Sequence, residues 1–155
     1  MLVRCTAFFT LLLLSLPVWS SYDTEALKKI ITEQQALFQV TGWQTDAQQQ
    51  SWTAITTLKW VTITLNTQGT EITSPYINAT QVKAARERCL AIASPALQLT
   101  TDEQRTTLQA LMKKATQHHA VHSMVLNRVK FEVVPKLVGS FVRLFCSVKP
   151  TAGNT

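Results

Sequence analysis

Two cysteines far apart in the chain, Cys89 and Cys146, constrain the fold more than any other feature of the sequence. The third cysteine, Cys5, lies in an apolar N-terminal segment that we expect to be removed. In an oxidising compartment an even pair is expected to form a disulfide. The predicted Cys89–Cys146 bond closes a long loop and contributes about 4 kcal/mol in the chain-entropy model. The alternative is two free thiols, but no Cys-x-x-Cys pattern indicates redox chemistry.

The N-terminus has the pattern of a secretory signal peptide over residues 1–20. Arg4 supplies a short basic start, an apolar run continues to Pro17, and Ser20 places a small residue before a plausible cleavage point. An uncleaved membrane anchor is the alternative, but the apolar run is short for a bilayer and contains Pro17 near its end. We therefore expect an exported protein, extracellular or periplasmic, with one domain over residues 21–155.

The charge is unevenly distributed along a chain of formal net charge +6. From Lys83 onward the basic residues clearly outnumber the acidic ones. A basic half favours acidic partners or anionic surfaces, although it can also be a solvated surface. Nucleic acid is excluded as a partner because the basic residues are scattered and the chain is predicted to be exported.

Apolar residues recur at helical spacing through most of the chain, which predicts an all-α fold. The pattern favours a small bundle of four to five helices held by one disulfide. The predicted helices cover residues 23–40, 46–69, 74–94, 101–133 and 136–148.

Local signals refine two of these helices and leave a third ambiguous. The helix near residue 101 fits a capping box, formed either by Thr100 with Glu103 or by Thr101 with Gln104. Ser74-Pro75 has the form of a helix start. The stretch from Val61 to Leu65 alternates and is rich in β-branched residues, so a strand is the alternative there.

The three histidines all lie in the segment Lys113–Ser123. On a helix, His118 and His122 would share a face at the spacing by which two imidazoles bind one divalent metal ion. His119 could join His122, but no glutamate beside the first histidine completes a hydrolytic motif. The alternative is that His118 and His122 continue the apolar seam of the helix as structural residues.

The C-terminal segment carries a wide apolar face with a narrow polar stripe. We predict that it lines a cavity for a hydrophobic ligand or contacts a membrane, with a central bundle helix as the structural alternative. The proposed ligand-contacting residues are Phe131, Leu137, Phe141 and Phe145.

Asn78-Ala79-Thr80 is an N-glycosylation acceptor sequence, which has meaning only in a eukaryotic secretory pathway. No catalytic signature is found, so we expect a protein that is not an enzyme and has no cofactor. The predicted function is binding of another protein through a helix face. The alternatives are a carrier of a hydrophobic small molecule such as a lipid, and a metal-binding protein that uses the histidines.

Overall fold

The computed structural model describes residues 23–151 as seven antiparallel strands and four helices. The all-α prediction is therefore wrong. The predicted signal peptide, residues 1–20, lies outside the described residues. The elements in chain order are α1 Thr24–Glu33, α2 Gln35–Phe38, β1 Val40–Asp46, β2 Ser51–Thr56, β3 Thr62–Asn66, β4 Gly69–Tyr76, α3 Ala79–Ala96, α4 Asp102–His118, β5 His122–Leu126, β6 Val129–Val138 and β7 Phe141–Pro150.

The strands form one sheet in the order β1-β2-β3-β4-β7-β6-β5. The first four strands are a meander, and the last three are a second meander that joins it through the β4–β7 pair. The helices α3 and α4 connect the two halves. They pack on the same face of the sheet as α1, against strands of both meanders.

The helices α1, α3 and α4 begin where the sequence supplies a side-chain cap. Asp23 accepts a hydrogen bond from the Ala26 amide at the start of α1, 3.0 Å away. Thr101 and Gln104 form the predicted capping box of α4, which satisfies two amides that the first helical turn leaves free. The side of α3 that packs on the sheet includes Ala85, Cys89 and Ile92, all fully buried.

The second and fifth predicted helices, and the end of the fourth, form strands because their residues alternate between the two faces of a sheet. The segment predicted as the second helix contains β1, β2 and β3, and Ile63 and Leu65 are buried on the helix-covered face. The alternation with β-branched residues at 61–65 was therefore the correct signal. Ser74-Pro75 lies within β4, not at a helix start.

The predicted long fourth helix ends at His118, where His119 takes the left-handed conformation with φ 51°. After it, β5 and β6 form a hairpin through Asn127 and Arg128, both at positive φ. Two positive-φ residues match the twist of a two-residue hairpin. The predicted fifth helix is instead the β6–β7 hairpin, which turns at Gly139 with φ +64°.

The predicted disulfide is present and joins α3 to the middle of the sheet. Cys146 lies on β7 between Ile72 of β4 and Val133 of β6, and the two half-cystine Cα atoms are 5.7 Å apart. All four of these side chains lie in the core between sheet and helices. The bond therefore fastens the longest helix to the central strands.

Within residues 23–151, none of the helices is both long and apolar enough to cross a bilayer.

Candidate functional site

The sheet has two unlike faces. The helices cover one of them, and the buried residues of β3, β4, β6 and β7 point toward it. The alternate residues of the same strands point to the other face, which no helix of residues 23–151 covers. We call this second surface the open face. Its central side chains are those of Thr64, Glu71, Thr73, Lys130, Glu132, Val134, Lys136, Phe141, Arg143, Phe145, Ser147 and Lys149.

The centre of the open face carries two apolar side chains, Phe145 and Val134, among charged and polar ones. Phe145 lies between Thr73 on β4 and Val134 on β6, and both Phe145 and Val134 are half-buried although no helix covers them. The Lys136 ammonium lies 5.2 Å from the centre of the Phe145 ring. Together with neighbouring side chains they surround a shallow depression of about 240 Å³.

Two ion pairs lie beside this centre, both toward the same end of the strands. The Lys149 ammonium lies 2.9 Å from the Glu71 carboxylate, and the Lys130 ammonium lies 2.6 Å from that of Glu132. Ser147 pairs with both Glu71 and Glu132 in the register of the sheet, so it separates the two acids. These charges are satisfied within the face and give it a polar border.

Two further cations at one end of the open face are arranged differently. Lys136 and Arg143 are direct partners across the β6–β7 pair, and neither takes part in an ion pair among residues 23–151. The Arg143 guanidinium lies 5.8 Å from the Trp60 ring centre and 5.5 Å from that of Phe141. Its Nε is buried and has no hydrogen-bond partner in this part of the chain.

The rings of Trp60 and Phe141 are themselves 6.4 Å apart, so they form with Arg143 a cation–aromatic cluster. The sequence did not predict this cluster, because residues 46–69 and 136–148 were assigned to helices. In a strand, successive side chains point to opposite faces of the sheet, so residues 141–145 read as a strand would have placed Phe141, Arg143 and Phe145 on one face.

The predicted metal site depended on one helix carrying two histidines, and the structure divides them. His118 is the last residue of α4, whereas His122 is the first residue of β5. His119 between them is exposed and caps the helix. Among residues 23–151, no group of three or more His, Cys, Asp or Glu side chains could hold a metal ion.

The predicted ligand-contacting residues do not share a surface. Phe131 is fully buried under the helices, and Leu137 is 76% exposed at the β6–β7 hairpin. Phe141 and Phe145 lie on the open face. A single apolar lining was expected because the segment was assigned to one helix. The strands distribute these side chains to both sides of the sheet.

Asn78, the predicted glycosylation acceptor, is the N-cap of α3. It is exposed, and its side-chain oxygen accepts a hydrogen bond from the Gln81 amide at 3.0 Å. It also borders a cleft of about 440 Å³, together with Ile77, Ser140, Phe141 and other residues. Glycosylation of Asn78 stays a prediction.

The deeper part of this cleft is formed by Tyr76, which is 5% exposed. Burial raises the pKa of the Tyr76 phenol above its usual 10.0. Its hydroxyl has no hydrogen-bond partner among residues 23–151.

Comparison with models of protein families, with curated proteins and with solved structures finds no significant match to this chain.

Proposed function

We propose that this protein works by binding another protein, and that the open face of its sheet is the binding surface. The observation that carries the proposal is the arrangement of that face. The apolar side chains of Phe145 and Val134 lie at its centre, with two ion pairs on one side along the strands and the cations Lys136 and Arg143 on the other. The predicted helix face is replaced here by a sheet face, since α3 and α4 use their apolar sides for the core.

The arrangement matches the anatomy of protein interfaces, where an apolar centre is surrounded by a polar border. Aromatic residues near the centre of such surfaces contribute most of the binding energy. Phe145 occupies that position, and its half-burial on an uncovered face means that its ring is already held in place. Binding of a partner then costs little conformational entropy of the Phe145 side chain.

The charges of the border favour a partner with a mixed rather than uniformly charged surface. Glu71 and Lys149, and likewise Lys130 and Glu132, neutralise each other within the face. They contribute little to affinity while exposed, but they disfavour partners that place like charges opposite them. Specificity is therefore expected to depend on the ion pairs, and affinity on Phe145.

A lipid carrier receives less support from this geometry. Its predicted lining divides between the core, the hairpin and the open face, so it encloses no common cavity. The core between sheet and helices is filled by side chains such as Phe131, Met112 and Leu108.

Site-specific photocrosslinking tests the proposal. A photoreactive residue is placed at Thr73 or Ser147 on the open face, and at Gln109 or Lys114 as controls on the exposed side of α4. Crosslinking is done in the compartment where the protein is found, and the adducts are identified by mass spectrometry. The proposal expects one partner protein at both open-face positions and not at the α4 positions. The same adducts at all four positions, or adducts at α4 alone, would overturn it.

A further inference from the structure

Four of the seven exposed large hydrophobic side chains among residues 23–151 lie at one end of the sheet. Among the large hydrophobic residues described, Trp60 is 62% exposed, Ile77 is 69% exposed and Leu137 is 76% exposed. Val138, at 38%, follows Leu137 at the β6–β7 turn. Single exposed apolar residues are ordinary, but a contiguous group indicates a surface that is covered in function.

Contacts and strand register place these residues together. Val138 pairs with Phe141 across the hairpin, and the Phe141 ring lies 6.4 Å from that of Trp60. Ile77 borders the same cleft as Phe141. We call this group the tip: Trp60, Ile77, Lys136, Leu137, Val138, Phe141 and Arg143.

The tip is cationic as well as apolar. Lys136 and Arg143 belong to it without carboxylate partners. The three segments that form it, residues 57–61, 76–79 and 136–143, contain no Asp or Glu and add the exposed Lys59. Like charges that lie directly opposite in a sheet destabilise it. An anionic surface at the tip would offset that cost.

We infer that the tip docks on the surface of an anionic lipid bilayer, with Leu137, Val138 and Trp60 entering the interfacial layer. Lys136, Arg143 and Lys59 then lie at the level of the lipid phosphates. Trp prefers this layer because its ring is apolar and its N–H is polar. Basic residues near an anionic surface each add about 1 kcal/mol of attraction, which corresponds to about fivefold in affinity.

The shape of the tip favours a membrane over a protein partner. Residues 136–140 at the hairpin turn are all exposed, and a Cβ built at Gly139 meets no atom within 4 Å. Its apolar side chains point to both sides of the hairpin, because Leu137 and Val138 are neighbours on one strand. A flat protein surface would contact one side of the hairpin, whereas a lipid layer surrounds both sides.

This inference does not rest on the proposed function. The tip shares Lys136, Phe141 and Arg143 with one end of the open face, but Ser147 and both ion pairs lie toward the other end. Docked by the tip, the sheet would stand away from the bilayer with the open face available to a partner.

Vesicle co-sedimentation tests the inference with the full protein as purified. Binding is compared between phosphatidylcholine vesicles and vesicles in which about a third of the lipid is phosphatidylglycerol, at low and high salt. The protein is expected to bind the anionic vesicles and to dissociate as salt is raised. Brominated lipid is expected to quench the tryptophan fluorescence of the wild type. This quenching should be lost in Trp60→Phe.

Matched variants distinguish vesicle binding through the tip from nonspecific adsorption of the protein. Leu137→Ser is expected to weaken binding about tenfold, and Lys136→Gln about fivefold. The controls are Val125→Ser, on β5, where the valine is 59% exposed against 76% for Leu137, and Lys114→Gln, an exposed lysine on α4. Both controls should bind as the wild type does, and circular dichroism verifies that each variant is folded.

Three outcomes overturn the inference: no binding to anionic vesicles at low salt, unchanged binding of the tip variants, or equal losses in the control variants. If the protein does not bind anionic vesicles, and a photoreactive residue at position 137 crosslinks to another protein, the tip would be assigned to a protein partner. A failure of the open-face crosslinking would leave these vesicle results unaffected.

Discussion

Lys136 and Arg143 are direct neighbours across the β6–β7 pair, and each lies beside an aromatic ring rather than a carboxylate. Two cations in this arrangement repel each other. The sheet therefore holds a locally unfavourable contact at the place where we infer that anionic lipid binds.

A double-mutant cycle measures this repulsion directly. Lys136→Gln, Arg143→Gln and the double variant are expected to give an unfavourable coupling of about 0.2–1 kcal/mol in the free energy of unfolding. The cycle subtracts what each side chain gains from its aromatic neighbours. Urea unfolding provides the measurement. The control cycle, Lys130→Gln with Glu132→Gln, should give a coupling of opposite sign. A favourable Lys136–Arg143 coupling would contradict the account.

Tyr76→Phe is expected to leave stability unchanged or to raise it by about 1 kcal/mol, because the buried hydroxyl that it removes has no hydrogen-bond partner in residues 23–151. Thermal unfolding at neutral pH measures this. A loss above about 1 kcal/mol would show that the hydroxyl has a partner.

The same variant changes the alkaline limit of stability. Burial raises the pKa of Tyr76 in the folded protein above its usual 10.0, so its neutral form is favoured by folding. The unfolded chain ionises first, and stability falls as pH rises from about 10 toward the folded pKa. Tyr76→Phe should lose less stability over that interval than the wild type does. Equal losses in the two proteins would contradict this reading.

Gly69→Ala should destabilise the protein by about 2 kcal/mol or more. A Cβ at position 69 would lie 2.6 Å from the backbone oxygen of Val148, which the β4–β7 pairing holds in place. Gly42→Ala is the control, since the nearest atom to its Cβ is the Ile55 Cδ1 at 3.6 Å, an ordinary contact. Urea midpoints compare the two. Equal effects would mean that strand propensity, not close approach, determines the cost.

Removing the disulfide with Cys89→Ser and Cys146→Ser should cost about 4 kcal/mol. The two residues are 57 positions apart, so the bond restricts a large part of the unfolded chain. Unfolding with and without reductant measures the effect. The wild type should become less stable in reductant, and the double variant should not respond. A wild type that is indifferent to reductant would contradict the prediction.

The sequence predicted local features better than the fold. The Thr101–Gln104 capping box, one of the two alternatives, and the disulfide partners were correct because each depends on a few neighbouring residues or on cysteine chemistry. The strands were missed because the open face also carries apolar residues. Val134 and Phe145 occupy positions that would be polar in a clear alternation, so the C-terminal segment had the wide apolar pattern of a buried helix.

The turns between these strands also lacked strong signals. His119 and Arg128 adopt positive φ without being glycine or asparagine, so nothing in the sequence marked the end of α4 or the complete β5–β6 turn. Once those ends were missed, His118 and His122 were placed on one helix. The open face itself depends on register between strands distant in sequence, such as β4 and β7, which local patterns do not determine.

The affinity of Phe145→Ala for the partner identified by open-face crosslinking tests the central claim most directly. Leu111→Ala is the control, a half-buried apolar residue on α4 at the opposite side of the molecule. Titration calorimetry is expected to show that Phe145→Ala weakens binding by about 2 kcal/mol, some thirtyfold, while Leu111→Ala does not change affinity. Unchanged affinity in Phe145→Ala, or an equal loss in both folded variants, would contradict the claim that the open face is the binding surface.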